Sequence, residues 1–430
     1  MLTILCIATY FKGEAFLREC RRRGCRVLLL TSDALVNAAW PREAIDEVFS
    51  IARDASEAEI RRRVDAIART HAIARIAALD DFDVELAAML REHLQVPGMG
   101  RTAASYFRDK LAMRTKARSL GIPVPEFAPV FNDQALDHWT RRVPAPWVLK
   151  PRSSAAAIGI KKIADRDELW RALDAAGDQR SNSVLEQFVS GDVYHVDSII
   201  WDGKVVFAIP FKYGRPPMEI AHQGGLFITR RLPDDSPEGA ALLALNRRLQ
   251  DGLGLQRGVS HTEFIRGSGG SGGSGEPASP SFDDARNGPE RVEGPRLGDA
   301  NPGEGGFVFL ETSARVGGAF IVDTIEAATG LNLWEEWAKI ETAGQSVDYA
   351  VTPHRDDYAG IVLSLARQEH PDMSAYTDAE IVTRLKKSHH AGLIVRSPDR
   401  ARIDALIADY TPRFYRDFFA TAPPPDRPVE

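Results

Sequence analysis

Short apolar runs alternate with amphipathic stretches over the first hundred residues, and this alternation restricts the fold more than any other feature of the sequence. The apolar runs cover residues 2–8, 26–31, 47–51 and 74–79. Helical patterns separate them, the longest at 57–71, and another follows at 82–94. Continuous apolar runs of this length are typical of strands buried on both faces. Strands joined by helices form parallel sheets through right-handed crossovers, so the sequence predicts an α/β fold that begins with a doubly wound parallel sheet.

The segment 102–209 also carries helix and strand patterns, in a less regular order. It begins with a basic helical pattern at 102–120. The predicted strands are 147–150, 160–163, 184–189, 193–201 and 204–209. A loop of small residues, 153–159, separates the first two of these strands, as in a hairpin.

Residues 267–306 differ from the rest of the chain in composition. Of these 40 residues, 17 are Gly or Pro and only three are large and apolar. Such a segment cannot bury enough apolar surface to offset its loss of conformational entropy, so we predict a disordered insertion. Its start, 267–275, resembles a flexible linker of natural or engineered origin, although the mixed remainder favours a natural one. The apolar runs 261–265 and 307–311 then form one hairpin with a lengthened turn.

Charge and cysteine content exclude several functions. The 54 basic and 60 acidic residues give a net charge of -6 and a pI near 6.0, which disfavours a nucleic-acid-binding protein. No apolar run approaches the roughly 18 residues that a membrane span needs, and the apolar start lacks the features of a signal peptide. The three cysteines lie within the first 25 residues, which indicates neither a disulfide framework nor a zinc site. We expect a cytoplasmic protein with no nucleic-acid or membrane partner.

Two lysines accompany the loop of small residues. Lys110 lies on the predicted basic helix, and Lys150 ends an apolar strand shortly before the loop 153–159, which begins with Ser153 and Ser154. Small residues let backbone N–H groups approach an anion and lysine adds positive charge, so this pattern is consistent with phosphate binding. It is not a P-loop, because the GxxxxGK[ST] spacing is absent. A solvated helix face and an ordinary hairpin loop are the simpler alternative.

A second cluster lies at 185–192, where a strand pattern ends in Ser-Gly-Asp. The end of such a strand can offer backbone groups to the edge of a base. One of its two carboxylates, Glu186 or Asp192, can in addition accept hydrogen bonds from ribose hydroxyl groups. A strand that simply ends in a turn explains the same residues.

The two acids of the predicted hairpin form a third cluster. Glu263 and Glu311 would point to one face of the hairpin, where two carboxylates repel each other unless a cation lies between them. Mg²⁺ prefers such oxygen ligands together with phosphate. Arg315 lies four residues beyond Glu311. Two solvent-facing acids are the alternative explanation.

A fourth group consists of His222, Arg230 and Arg231 around two glycines. A histidine and an arginine pair can bind a carboxylate, and a flexible surface loop has the same composition.

Taken in this order, the clusters resemble the ATP-grasp superfamily over roughly residues 1–345. The resemblance implies that the loop 153–159 is a phosphate lid and that Asp192 binds ribose. It implies a hinge that reads adenine largely through backbone groups, formed by Glu186, Gln187, Phe188 and Val189.

The sequence from Glu311 to Gly318 is similar to the family's E-x-N-x-R-x-G-G strand, which binds metal and carries catalytic groups. Ser313 stands where the family usually has Asn, so the resemblance leaves open whether a second metal binds. With the 40-residue insertion set aside, Glu263 and Glu311 are eight residues apart, as a hairpin requires.

The resemblance also implies the domain organisation. It divides the chain into a Rossmann-like pre-ATP-grasp domain at 1–101, a small ATP-grasp half with the lid at 102–189, a large half with the metal strands at 190–345, and a C-terminal α/β subdomain at 346–430. This layout is similar to the biotin carboxylase, carbamoyl-phosphate synthase and L-amino-acid ligase branch. The chain has no Met-Lys-Met biotinylation site, and its cysteines lack the setting of an amidotransferase nucleophile.

We therefore predict an ADP-forming carboxylate–amine ligase that uses ATP and Mg²⁺, or Mn²⁺, and forms an acylphosphate. Its partners would be a small-molecule carboxylate and an amine, and the resembling families allow a homodimer. Lys110 and Lys150 would bind phosphates, and Arg315 would stabilise the reacting carboxylate. The metal ligands would be Glu263, Glu311 and Ser313, and the substrate pocket would contain His222 and Arg230. The alternatives are a carboxylase that acts through carboxyphosphate and a nucleotide-binding protein without catalysis.

Overall fold

A computed structural model of the chain describes residues 1–154, 158–267, 306–343 and 349–421. The predicted insertion at 267–306, the centre of the predicted lid and the Pro-rich tail at 423–430 lie wholly or largely outside these ranges. The described residues form three sheets of four, four and eight strands.

The N-terminal sheet is parallel, with the strand order β3-β2-β1-β4. Its elements are β1 (Thr3–Ala8), α1 (Glu14–Arg22), β2 (Arg26–Ser32), β3 (Glu47–Ile51), α2 (Glu57–Ala68), β4 (Ile73–Ala78) and α3 (Val84–Leu94). Alternate side chains of β1 enter two different apolar cores, Ile4 and Cys6 on one face and Leu5 and Ile7 on the other. Burial on both faces is the reason why this strand is apolar from Ile4 to Ala8, and the predicted parallel sheet is confirmed.

Two helices, α4 (Arg101–Arg108) and α5 (Lys110–Ser119), occupy the segment for which a single helix was predicted. The chain is extended at Asp109 between them, and the Asp109 carboxylate accepts hydrogen bonds from the amides of Leu111 and Ala112. Aspartate favours this N-cap position because its side chain bonds the first free N–H groups of a helix. The break places Lys110 in the first turn of α5.

The second sheet is antiparallel, with the order β5-β8-β6-β7. Its elements are β5 (Phe127–Pro129), α6 (Asp133–Arg142), β6 (Trp147–Pro151), β7 (Lys161–Ile163), α7 (Arg166–Ala176) and β8 (Ser183–Gln187). The two helices pack on a core that contains Trp139 and Trp147.

The third sheet has the strand order β13-β12-β9-β10-β11-β14-β16-β15. Its elements are β9 (Gly191–Trp201), β10 (Lys204–Tyr213), α8 (Pro217–Gln223), β11 (Phe227–Arg231), α9 (Pro237–Leu253), β12 (Arg257–Gly267), β13 (Phe307–Ser313), α10 (Ile321–Thr329), α11 (Leu333–Thr342), β14 (Tyr358–Leu365), β15 (Ile381–Arg384), β16 (His390–Ser397) and α12 (Arg400–Asp417).

The strands of the C-terminal region continue this sheet, because β14 pairs with β11, and they form no separate sheet among the described residues. The boundaries predicted at 101, 189 and 345 stay predictions. Within the described ranges, no helix combines the length and apolar character that crossing a membrane requires.

The register of β12 and β13 places Glu263 directly opposite Glu311, and His261 opposite Ser313. The pairing of the two acids across a hairpin is therefore confirmed. Successive odd-numbered residues of a strand share a face, so Glu311 and Ser313 point to the same side as Glu263.

Candidate active site

A cavity of about 640 Å³ lies where the three sheets meet. Its first wall consists of the loops after β1 and β4, its second of β6 and β8, and its third of β10, β12 and β13. In the N-terminal sheet the chain moves outward from β1 to β3 and then returns to β4 on the other side of β1. Ligands of parallel α/β sheets bind at this switch point, beyond the carboxyl ends of the strands. The volume is suitable for a ligand of nucleotide size.

Glu263, Glu311 and Ser313 all line this cavity. The Tyr213 hydroxyl donates a hydrogen bond of 2.8 Å to Glu263 Oε1. Lys110 Nζ lies 3.2 Å from Glu311 Oε2 and donates to the Ser154 carbonyl oxygen at 2.7 Å. Burial alone would raise the pKa of Glu311, but the charges of Lys110 and its neighbour Lys150 outweigh burial and lower it. Glu311 is therefore an anion at neutral pH.

Lys150 extends from the end of β6 into the cavity, and its Nζ lies 2.6 Å from Glu186 Oε2. Burial lowers the pKa of Lys150, against the opposing charge of Glu186. Arg114 Nε lies 3.1 Å from the other oxygen of Glu186. The Glu186 side chain is 2% exposed, and the two cations outweigh its burial and lower its pKa. The Glu186 carboxylate thus pairs internally with both cations and holds Lys150 in place.

The predicted adenine hinge forms part of the wall, since Glu186, Gln187, Phe188 and Val189 line the cavity. The amides of Gln187 and Phe188 donate to the carbonyl oxygens of Glu126 and Pro146, at 2.7 and 3.1 Å. These bonds fix the backbone of the hinge at the edge of the cavity.

Asp192 lies outside the cavity, which differs from the predicted ribose contact. Its side chain is 61% exposed and pairs with Lys212 at 2.9 Å. Neighbouring residues of a strand point to opposite faces, so Val193 lines the cavity where Asp192 was expected. Ser153 is also displaced from the lining: its carbonyl oxygen accepts a bond from Arg108, whereas Ser154 faces the cavity.

His222 and Arg230 lie apart from the cavity, in contrast to their predicted place in a substrate pocket. His222 is exposed on α8. Arg230 Nε lies 2.9 Å from Asp404 of α12, because this position of β11 faces the C-terminal helix. The corresponding wall is formed by the residues 216–221 of α8 and its N-terminal flank, together with Phe227.

Comparison with known proteins shows what this chain is similar to. No family model matches the chain. The L-arginine-specific L-amino acid ligase of Bacillus subtilis is 27% identical over 184 residues, which are 41% of this chain and 44% of that protein. The D-alanine–D-alanine ligase of Hydrogenovibrio crunogenus is 29% identical over 119 residues, 28% of this chain and 37% of that protein. The alignments thus span less than half the length of these curated relatives.

A crystal structure of an L-amino acid ligase from Bacillus licheniformis superposes on 98% of this chain and 99% of its own, with a TM-score of 0.70 and 15% identity. All three proteins are ATP-grasp proteins. This chain is thus similar to ATP-grasp proteins in parts of its sequence and shares their fold. The superfamily and the fold class predicted from the sequence are confirmed.

The cavity also contains residues that the sequence analysis did not assign to the site. Tyr10 and Lys12 follow β1, and Asp80, Asp81 and Phe82 follow β4. Their position directly after two parallel strands was the available signal.

A second unassigned group surrounds His261, which lines the cavity beside Glu263. Asp197 lies between two imidazoles, with its oxygens 2.7 Å from His195 Nδ1 and 2.9 Å from His261 Nδ1. Burial disfavours the charged imidazole of His261, but Asp197 outweighs burial and raises its pKa to about 9. The nitrogen and oxygen atoms of these three residues are close enough to bind a metal ion, yet each is already engaged in this hydrogen-bonded network. Alternation along β9 and β12 brings them together, which no local motif indicated.

Proposed function

We propose that this protein is an ADP-forming, Mg²⁺-dependent ligase that joins a small-molecule carboxylate to an amine through an acylphosphate. One observation carries the proposal: Glu263 and Glu311 lie opposite each other in the cavity that also contains Lys110 and Lys150. Paired carboxylates and lysines in one cavity match the needs of phosphoryl transfer, which depends on positioning and charge neutralisation. The ligase relatives support the same activity.

The nucleotide would lie between the hinge and the lysines. The backbone at 187–189 would contact adenine, and Lys110 and Lys150 would bind the phosphates. Glu186 would act on Lys150 rather than on the nucleotide, because both of its oxygens already pair with cations. Ser154 would belong to the loop that covers the phosphates, and Asp192 has no part in this arrangement.

The carboxylates suit a hard divalent cation. Glu311 is ionised, its partner Glu263 lies opposite, and the Ser313 hydroxyl adds a third oxygen on the same face. Oxygen ligands of this kind fit Mg²⁺ or Mn²⁺. The ammonium group of Lys110 already lies beside Glu311, in keeping with a site that favours positive charge. When bound, the metal would neutralise phosphate charge. These three residues would be its protein ligands.

The reaction follows from the arrangement. An oxygen of the substrate carboxylate attacks the γ-phosphorus of ATP, the bond to the β–γ bridging oxygen breaks, and ADP leaves. The amine nitrogen then attacks the acyl carbon, and inorganic phosphate leaves with a proton released to solvent. Arg315 lines the cavity beyond the two acids, where it would hold the carboxylate and stabilise charge on the acyl oxygen. Walls that exclude water would protect the acylphosphate from hydrolysis.

The test is ADP release, measured with Mg²⁺ against carboxylates and amines, singly and in pairs, and with bicarbonate. Glu311→Gln should reduce release to background because it removes a metal ligand, whereas Glu369→Gln should leave it unchanged. Glu369 is the matched control, since its side chain is 68% exposed and lies outside the cavity lining. Release that needs a carboxylate and an amine would support the ligase, and release that needs bicarbonate would replace it with the carboxylase. Normal turnover of Glu311→Gln would contradict the metal assignment.

A further inference from the structure

Asp81 is a buried carboxylate in the cavity wall that the reaction above does not use. It follows β4 and lines the cavity, and its side chain is only 7% exposed. Arg108, itself 4% exposed, pairs with Asp81 Oδ2 in a short ion pair. Arg108 also donates to the Ser153 carbonyl oxygen at 2.8 Å and lies over the Phe82 ring, 4.9 Å from its centroid. Three contacts thus fix Arg108, and Arg108 fixes the orientation of the Asp81 carboxylate.

The second oxygen of Asp81 is buried and accepts no hydrogen bond from the residues that the structure describes. The cation facing it is Arg315, whose Nε lies 4.0 Å from Asp81 Oδ1. That distance is too long for a hydrogen bond, and Arg315 Nε likewise has no hydrogen-bond partner within the described ranges. Buried polar atoms are almost always bonded in folded proteins, so an unbonded oxygen in the wall of a cavity indicates a place for a ligand atom.

The neighbouring acids are different, because their oxygens are engaged. Asp80 Oδ1 accepts from the Phe82 amide at 3.0 Å, and Asp80 Oδ2 pairs with Lys12 at 2.5 Å. Asp83 accepts from the amide and the hydroxyl of Thr9, at 2.9 and 2.6 Å. Of these three aspartates, Asp81 alone presents an unbonded, oriented oxygen among the described residues.

We propose that Asp81 Oδ1 binds the ammonium group of the amine substrate, next to the Arg315 guanidinium that would hold the acyl group. A carboxylate oxygen accepts a strong, charge-assisted hydrogen bond from an ammonium donor. Binding the ammonium there would hold its nitrogen beside the acyl carbon. The ammonium would lose one proton to solvent before the nitrogen attacks, in addition to the proton released as the amide forms. The site would therefore select primary amines that are charged in solution, such as the ammonium group of an amino acid, over uncharged nucleophiles. This inference rests on the proposed ligase activity and adds a specificity-determining residue to it.

Hydroxylamine provides the test, because it is uncharged at neutral pH and still captures acylphosphates as hydroxamates. In Asp81→Asn, the KM for the charged amine should rise about tenfold or more, as the loss of a charge-assisted hydrogen bond predicts. Hydroxamate formation from the same carboxylate should fall far less. Asp83→Asn is the matched control, because it is the same substitution two residues away at an acid outside the cavity lining. It should change neither the KM for the charged amine nor the formation of hydroxamate.

Asp81→Glu retains the negative charge and should recover much of the preference for the charged amine. It also keeps the test available if Asp81→Asn, which weakens the Arg108 pair, fails to fold in thermal unfolding.

The outcomes separate the two proposals. No hydroxamate from wild-type protein with any carboxylate would refute the ligase itself. Hydroxamate from the wild type with equal losses of amide and hydroxamate in Asp81→Asn would refute the ammonium site and leave the ligase standing. A raised KM for the carboxylate substrate in the hydroxylamine assay would also refute it, because Asp81 would then bind the acyl donor.

Discussion

Replacing Glu186 with Gln removes the negative charge between Arg114 and Lys150. The three side chains are 2%, 0% and 12% exposed, so the two cations would remain close together with little access to water. Removing one partner of a buried ion pair destabilises a protein by about 3–5 kcal/mol, since the remaining charge stays buried without compensation. We expect Glu186→Gln to lower the free energy of unfolding by that amount. We expect Lys150 to lose its fixed position at the cavity as well.

The pH dependence follows from the sign of the Lys150 shift. Burial already lowers the pKa of Lys150, and the loss of Glu186 would lower it further. A lysine whose pKa is lower in the folded than in the unfolded protein reduces the free energy of unfolding as the pH falls. This loss is reversed as the pH rises towards the pKa of the unfolded state. The loss of unfolding free energy in Glu186→Gln should therefore be smaller in alkaline buffer.

Urea denaturation followed by circular dichroism measures the loss, with Glu126→Gln as the matched control. Glu126 also lies between two arginines, Arg118 and Arg142, at 3.4 and 3.5 Å, but its side chain is 29% exposed. Surface pairs of this kind contribute about 0–1 kcal/mol. Combining Glu186→Gln with Lys150→Met should recover part of the loss, because one of the two uncompensated cations is removed.

Equal effects of Glu186→Gln and Glu126→Gln, both below about 1 kcal/mol, would refute this reasoning. The buried network would then contribute little to stability.

Two further predictions concern packing and titration. In Gly317→Ala the added Cβ would lie 2.7 Å from Ile321 Cγ2 and 3.0 Å from Asp197 Oδ1, so the free energy of unfolding should fall by about 1–3 kcal/mol. Gly318→Ala is the control, because open space surrounds its Cβ and it should unfold like the wild type. Equal thermal midpoints of the two variants would contradict this prediction. Burial raises the pKa of Asp83 to about 7, so the folded state holds a proton that the unfolded state has already lost. The free energy of unfolding of the wild type should therefore fall as the pH rises from about 4 to about 7. Asp83→Asn should lack this fall when urea midpoints are compared across the same range.

The elements that the sequence predicted well are those with a strong local pattern. The central strands β1 and β2 are almost continuous apolar runs because both of their faces are covered. The pairing of Glu263 with Glu311 followed from their spacing once the insertion was set aside, since a hairpin restricts which residues can meet. The helix at 102–120 was predicted as one piece because its periodicity continues past Asp109, whereas the capping carboxylate decides where the second helix begins.

The site was predicted less completely, for reasons of geometry. Asp192 and Val193 are adjacent in the sequence, and only the packing of β9 decides which of them faces the cavity. Arg230 forms an ion pair with Asp404, a residue of a distant helix whose position cannot be read from the local sequence.

The sequence by itself determined the alternating elements of the N-terminal sheet, the resemblance to the ATP-grasp superfamily and the residue types that can carry phosphate and metal chemistry, because these depend on periodicity and on motifs a few residues long. The tertiary structure alone decided which charges meet. It paired Glu186 with Arg114 and Lys150, and it brought Asp81 from the N-terminal sheet to Arg315, 234 positions further along the chain. The contact of Glu186 with Lys150 depends on the pairing of β8 with β6, and the approach of Asp81 to Arg315 depends on how distant segments pack together. Both are properties of the whole fold rather than of any one segment.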